Sequence, residues 1–210
     1  MRQAKRKLQN EQNEVLDAIR TSRGTPTAAT ILPPMDTQIG SWAATIGPFV
    51  TAAFALGAPG LGPAPHQLQI QLAEHLVAPL RQRLTEAFDD RSQAMDDLLP
   101  VGDFDDLPQH IGARYREWRS EHLETAVADI LVAAHARGVD SAAPEGSMLR
   151  WVTASDGCCP DCDDNALEPT PKGKRFPSGH TLPPSHAGCR CLVIAVGAPA
   201  KSSHLHAVGS

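Results

Sequence analysis

Cys158-Cys159-Pro160-Asp161-Cys162 and, later in the chain, His186-Ala187-Gly188-Cys189-Arg190-Cys191 are the two segments that decide how this protein folds. All 5 cysteines lie in these two segments of a chain of 210 residues. Thiolate and imidazole are the ligands that zinc prefers, and four of them around one ion can hold together a small domain that has little hydrophobic core. The two segments therefore predict a clip that joins the ends of the loop between them.

The two cysteine pairs have spacings typical of zinc ligands. Two residues separate Cys159 from Cys162, and a tight turn of that length points both sulfurs the same way. Cys189 and Cys191 would share one face of an extended segment. We expect these four thiols to bind a structural zinc ion, with His186 as a substitute ligand or as a hydrogen-bond partner of a ligand.

The remaining thiol, Cys158, would face away from Cys159 in an extended segment, and we leave it out of the predicted ligand set. Residues 1–23 are polar throughout and do not resemble a cleavable signal peptide, so we expect the protein to fold in the cytosol. In that compartment, an odd number of clustered thiols is more typical of metal binding than of disulfides. Disulfide pairing is the alternative.

The composition favours a mainly α-helical fold. Apolar residues make up 41% of the chain but aromatic residues only 4%, so the core is expected to consist of aliphatic and small side chains. The net charge of −5 argues against general binding to a nucleic-acid backbone, which needs a basic face. The basic residues at 1–23 could form an arm that contacts phosphate, although a solvated helix is the favoured interpretation.

Proline and glycine divide the chain into segments. Residues 24–35 and 57–65 are predicted linkers, because several prolines and glycines interrupt them. The acidic stretch 89–106 is predicted to be an exposed connector, since its spacing fits no EF-hand loop. Apolar residues at helical spacing predict four helices, at 1–23, 36–56, 66–88 and 107–137.

The end of the chain is predicted to form a small α+β module. A loop at 139–147 leads into a strand at 148–153, which is expected to pair with a strand at 191–196. Two strands are marginally stable alone, so a metal that pins their ends would stabilise the module. The predicted organisation is an N-terminal part at 1–65, a helical region at 66–138, the cysteine-rich module at 139–197 and a disordered tail at 198–210.

The uncharged run at 36–56 is about long enough to cross a bilayer. Gly40, Gly47 and Pro48 interrupt it, and flanking basic anchors are missing. We therefore favour a helix that is buried against neighbouring helices or other subunits. Within this run, the side chains predicted to contact a partner are Trp42, Ile46, Phe49 and Phe54.

The common catalytic motifs are missing from the sequence. It contains no His-Glu-x-x-His, Walker loop or Gly-x-Ser-x-Gly, and the His-x-Glu of zinc deaminases is also missing. We therefore predict a closed structural metal site and no enzyme. The alternative is a zinc-dependent nucleic-acid enzyme, such as a nuclease, with His180 as the catalytic histidine.

Five motifs in the second half of the chain resemble the C-terminal domain of the phage head-morphogenesis proteins, the family named for the F protein of phage Mu. The match runs from about 107 to 196, and its order is specific in the second half. The motifs are Arg114-Tyr115-Arg116-Glu117-Trp118-Arg119, Leu149-Arg150-Trp151, Cys159-Pro160-Asp161-Cys162, Phe176-Pro177-Ser178-Gly179, and Pro183-Pro184-Ser185-His186-Ala187-Gly188-Cys189-Arg190-Cys191.

The resemblance implies a minor head protein of a tailed phage. Such a protein would lie inside the virion head near the portal, after assembly in the host cytoplasm, and would act in head assembly and DNA packaging or delivery. Its expected partners are the portal protein and the major capsid protein, with packaged DNA and a second copy as further candidates. Carried over by position, the family's metal-ligand positions are Cys159, Cys162, His186, Cys189 and Cys191.

Two residues depart from the family pattern, since Ala187 stands where the family usually has proline and Cys158 is an additional thiol. A third functional hypothesis is a membrane-active protein that uses 36–56 during genome delivery, which we rank below the structural role.

Overall fold

The computed structural model describes residues 1–96, 106–154 and 158–197. The fold is mainly helical, with a small antiparallel sheet toward the C-terminus, and this confirms the predicted fold class. The helices are α1 (Arg2–Thr21), α2 (Ala28–Ile31), α3 (Met35–Gly57), α4 (His66–Asp96), α5 (Leu107–Glu117), α6 (Leu123–Ala142) and α7 (Pro160–Leu167), with a π-helical turn at Trp118–His122. The strands are β1 (Met148–Val152), β2 (Thr170–Pro171) and β3 (Leu192–Val196). The tail predicted to be disordered, 198–210, lies outside the described residues.

Three of the predicted helix boundaries need correction. The linker predicted at 24–35 contains a one-turn helix, α2, which lies between two prolines. The side chain of Thr27 caps the start of this helix. The first part of the acidic stretch at 89–106 is helical and not a connector, because α4 continues to Asp96. Residues 97–105 of that stretch lie outside the described residues.

The third correction concerns the helix predicted at 107–137, which does not end before Gly138. Instead α6 continues to Ala142, so the predicted domain boundary at 138 lies inside a helix. Gly138 allows α6 to cross α3 at very short range. A Cβ added at Gly138 would lie 2.2 Å from the carbonyl oxygen of Phe54, and one added at Gly57 would lie 2.2 Å from that of His135. The backbones of α3 and α6 are therefore in contact at these two glycines.

A buried carboxylate joins the N-terminal helix to the rest of the helical bundle. Glu11 is 3% exposed, and it accepts hydrogen bonds from Gln38 Nε2 at 2.7 Å, Trp42 Nε1 at 2.8 Å and the Tyr115 hydroxyl at 3.2 Å. Arg81 donates in turn to Gln38 Oε1 at 2.9 Å. Burial and the neighbouring Glu11 carboxylate raise the pKa of Tyr115, which keeps its hydroxyl protonated as a donor. This network links α1, α3, α4 and α5.

A second, smaller core lies at the C-terminal end of α6. Ala136, Val139 and Ala143 pack there with buried residues of the sheet and of the cysteine segments. The sheet has the order β2-β1-β3, and β1 pairs antiparallel with β3 from Met148 opposite Val196 to Val152 opposite Leu192. The pairing of these two strands confirms the sequence prediction, whereas the short strand β2 was not predicted.

The four side chains predicted to contact a partner lie mostly inside the protein. Trp42, Ile46 and Phe54 are buried, with exposures of 1%, 3% and 4%, and belong to the helical core. The prediction is wrong for these three, because their apolar spacing reflects packing against other helices of the same chain. Phe49 is 42% exposed, so its contact with a partner stays a prediction.

Two glycine-to-alanine substitutions test the close crossing of α3 and α6. They should change the free energy of unfolding in opposite directions. Gly138→Ala should lower the free energy of unfolding by about 2 kcal/mol or more, because the added methyl group overlaps a backbone carbonyl that has little room to move. Gly40→Ala in α3 should raise it by about 0.5–1 kcal/mol, because its Cβ meets no atom within 4 Å and alanine favours helix. Urea denaturation followed by circular dichroism measures both, and equal stability of the two variants would contradict the close crossing.

Candidate metal centre

Helix α7 holds the first pair of thiols. Cys159 is its N-cap residue, Pro160 follows in the first turn, and the Cys159 carbonyl accepts the backbone N–H groups of Cys162 and Asp163, each at 3.0 Å. Proline at this position needs no N–H partner and has a fixed helical φ. The turn therefore brings Cys159 and Cys162 to the same end of α7. The sequence predicted the tight turn but not the helix that continues it.

A second turn holds the ligands of the later segment. The backbone N–H of Cys189 donates to the His186 carbonyl at 3.1 Å, and Gly188 between them has a φ of +79°. Only glycine adopts this conformation without strain, so the close approach of His186 and Cys189 depends on it. Directly after the turn the chain passes Cys191 and enters β3.

The two turns meet around the sulfur of Cys162, which is fully buried. Its distances are 3.7 Å to Cys189 Sγ and 3.9 Å to His186 Nε2. Cys159 Sγ lies 3.2 Å from the same imidazole nitrogen. The structure therefore brings four of the five predicted ligands together, and the described cysteines are all free thiols.

The fifth predicted ligand, Cys191, lies on another side of the cluster, next to Cys158. Cys158 Sγ is 3.5 Å from Cys191 Sγ, and the sulfurs of Cys158, Cys162 and Cys191 lie within 4.8 Å of one another. Cys158 therefore lies in the cluster, although the predicted ligand set omits it because its side chain would face away from Cys159. The cluster extends far enough to include both residues.

The pKa values of the thiols differ according to their surroundings. Burial raises the pKa of Cys162, and burial together with Cys191 raises that of Cys158 to about 11. The pKa of Cys159 is lowered, mainly because the Cys162 backbone N–H stabilises its thiolate. Burial opposes ionisation of Cys191, but the Ala154 backbone N–H and neighbouring donors outweigh it and lower its pKa. Metal binding would displace the protons that remain.

Asp129 on α6 anchors the second turn to the helical bundle. Its carboxylate accepts the Gly188 backbone N–H at 3.0 Å and pairs with Arg190 at 2.5 Å. Both donors belong to the segment between His186 and Cys191. The position of the ligand turn is therefore set by a charged contact with α6 as well as by its own backbone.

The small core behind the ligands contains two aromatic residues. The rings of Trp151 and Phe176 are 5.0 Å apart in an edge-to-face arrangement. Asn165 of α7 is fully buried and bonds Ser178 through both its amide and its carbonyl group, at 2.9 Å each. His180, the candidate for a catalytic histidine, is exposed, and its Nδ1 contacts Ser178 Oγ at 3.2 Å. It is not one of the residues that cluster around Cys162.

Another group of candidate ligands, not predicted from the sequence, lies on the π-helical turn. Glu117, Glu121 and His122 have ligand atoms within 4.8 Å of one another, beside a groove of 610 Å³ between the bundle and residues 181–187. However, the Arg83 guanidinium lies 3.4 Å from His122 Nε2 and stacks on Trp118. Arg114 also pairs with Glu117 at 3.2 Å, so the group is better explained as a charge cluster than as a cation site.

Comparison with known proteins identifies no relative. No family model matches the chain, no curated protein matches it, and no solved structure matches it. The cysteine cluster, which can hold a metal ion, is therefore the main evidence that the molecule itself gives about its function.

The anchor on α6 can be tested with two aspartates of the same helix. Asp129→Asn should lower the free energy of unfolding by about 1–2 kcal/mol, because Gly188 and Arg190 lose a charged acceptor. Asp140→Asn is the matched control and should change it by less than about 0.5 kcal/mol, as is usual away from such contacts. Thermal unfolding of both variants measures the difference. Equal effects of the two substitutions would contradict an anchoring role for Asp129.

Proposed function

We propose that the cysteine cluster binds zinc as a structural ion. The donor set supports this, because sulfur and imidazole nitrogen suit zinc, whereas Mg²⁺ and Ca²⁺ prefer oxygen. Ligand atoms around Cys162 at 3.7 and 3.9 Å also have the spacing of neighbours in a tetrahedral site, about 3.8 Å for zinc–sulfur bonds of 2.3 Å. The ion would join α7 to the start of β3 and close the loop between them.

The role of the whole chain that we propose is that of a structural minor head protein of a tailed phage. The observation that carries this proposal is the order of the motifs around the metal cluster, from Cys159-Pro160-Asp161-Cys162 to His186-Ala187-Gly188-Cys189-Arg190-Cys191. The protein would lie inside the head near the portal and act in head assembly and DNA packaging or delivery. Its partners would be the portal and major capsid proteins.

A structural role also agrees with the surroundings of the cluster. Cys162, Cys189 and Cys191 are buried, with exposures of 0–2%. A catalytic zinc needs a position open to water and an acid or base beside it. The histidine suggested for a nuclease, His180, contacts Ser178 in an exposed loop instead. These contacts favour a closed site over the nuclease alternative.

The membrane alternative rests on α3. This helix is long and apolar enough to cross a membrane, with a mean hydropathy of 1.5 in its most apolar window, and 44% of that window is buried inside the protein. Core helices of water-soluble proteins also have these properties. Since Trp42 in α3 donates to the buried Glu11, insertion into a bilayer would have to break the network that joins α1 to the bundle.

Mass spectrometry of purified virions tests the proposed role. In particles of the phage that encodes this chain, we expect the protein to be present at lower copy number than the major capsid protein and to be retained in DNA-filled heads after the tails are removed. A His180→Ala variant should assemble into particles as well as the wild type. Absence of the chain from washed virions, or cleavage of plasmid DNA that is lost in His180→Ala, would overturn the proposal.

A further inference from the structure

The cysteine cluster contains more donors than one tetrahedral ion can use. Five thiols and the imidazole of His186 lie in it, whereas a structural zinc takes four ligands. The donors separate into two sets of three that share a single member. One set consists of Cys158, Cys162 and Cys191, and the other of Cys159, Cys162 and His186.

Each set has the dimensions of a zinc coordination shell. Within each set the ligand atoms lie within 4.8 Å of one another, close to the separation of about 3.8 Å that a zinc–sulfur tetrahedron requires. The shortest pairs are 3.5 Å between the sulfurs of Cys158 and Cys191, and 3.2 Å between Cys159 Sγ and His186 Nε2. Only small side-chain shifts would be needed to surround one ion with each set.

We propose that the cluster binds two zinc ions, with the thiolate of Cys162 as a bridge between them. This inference rests on the proposal that the metal is zinc. Cys158 and Cys191 would bind one ion, and Cys159 and His186 the other. The buried thiol of Cys189, 3.7 Å from Cys162 Sγ, would complete four ligands on the ion held by Cys159 and His186, and the ion held by Cys158 and Cys191 would have three protein ligands.

The charge of the cluster is compatible with two ions. Two Zn²⁺ ions bound to five thiolates leave a net charge of −1. The bound metal keeps its thiol ligands ionised.

A buried donor near Cys191 is a second, independent observation. The indole nitrogen of Trp151 is buried and has no hydrogen-bond partner of normal geometry among the described residues. A buried N–H group without a hydrogen-bond partner costs free energy unless a negatively charged acceptor is close. Trp151 and Cys191 belong to the same small core, and a bound metal would keep the sulfur of Cys191 as a thiolate, which is a negatively charged acceptor.

Native mass spectrometry of the full chain, purified under reducing conditions and loaded with zinc, tests the proposal. The wild type should carry two zinc ions. Cys158→Ser should carry one, because it removes a ligand of only the first set, and Cys162→Ser should lose most of both. His180→Ala is the control for an exposed histidine, and the double variant His204→Ala and His206→Ala is the control for tail histidines. Both controls should keep two ions.

The number of ions separates this proposal from the one on which it rests. One zinc ion in the wild type would overturn the second site and leave the structural zinc intact, whereas no zinc would overturn both. Two ions retained in Cys158→Ser, or one lost in the tail variant, would show that the second ion lies elsewhere. A cobalt titration that does not require any variant gives a separate count. The thiolate-to-cobalt absorbance should reach its plateau at two equivalents, and a plateau at one would contradict the bridge.

Discussion

The contact between two turns at the sulfur of Cys162 is the constraint on which the C-terminal module depends. The module has a sheet of three strands, one of them two residues long, and a small core around Trp151 and Phe176. Such a unit has too little apolar surface to offset the entropy of ordering the long segment between β1 and β3. Ligands contributed from both ends of that segment would reduce this cost, because a bound metal stabilises only the folded arrangement.

Helix α6 joins this module to the rest of the protein. One part of it crosses α3 at Gly138, where the backbones are in contact, and its C-terminal end packs against the small core. Nearer the start of α6, the Asp129 carboxylate accepts the Gly188 backbone N–H and pairs with Arg190 of the ligand turn. Helix α6 therefore sets the position of the module relative to the bundle.

Much of this organisation could be predicted from the sequence, because it depends on local patterns. The apolar spacing in α1 and α3 and the β-branched residues of β3 predicted elements at almost the observed places. Tertiary contacts decided the rest. Gly138 looks like a helix stop, but it is a crossing point, and Trp42 looks like a contact residue, but it donates to a buried carboxylate from α1. Cys158 was excluded because the spacing of two neighbouring residues does not show how far a cluster extends.

The central claim is that a metal, rather than a large apolar core, holds the C-terminal module together. Hydrogen exchange measured with and without a strong chelator, under reducing conditions, tests it most directly. After metal removal, the backbone amides of β1, β3 and α7 should exchange at least tenfold faster, while those of α1 and α3, joined to the bundle by the buried Glu11 network, should change little. Unchanged protection in β1 and β3 after complete removal of the metal would contradict the account.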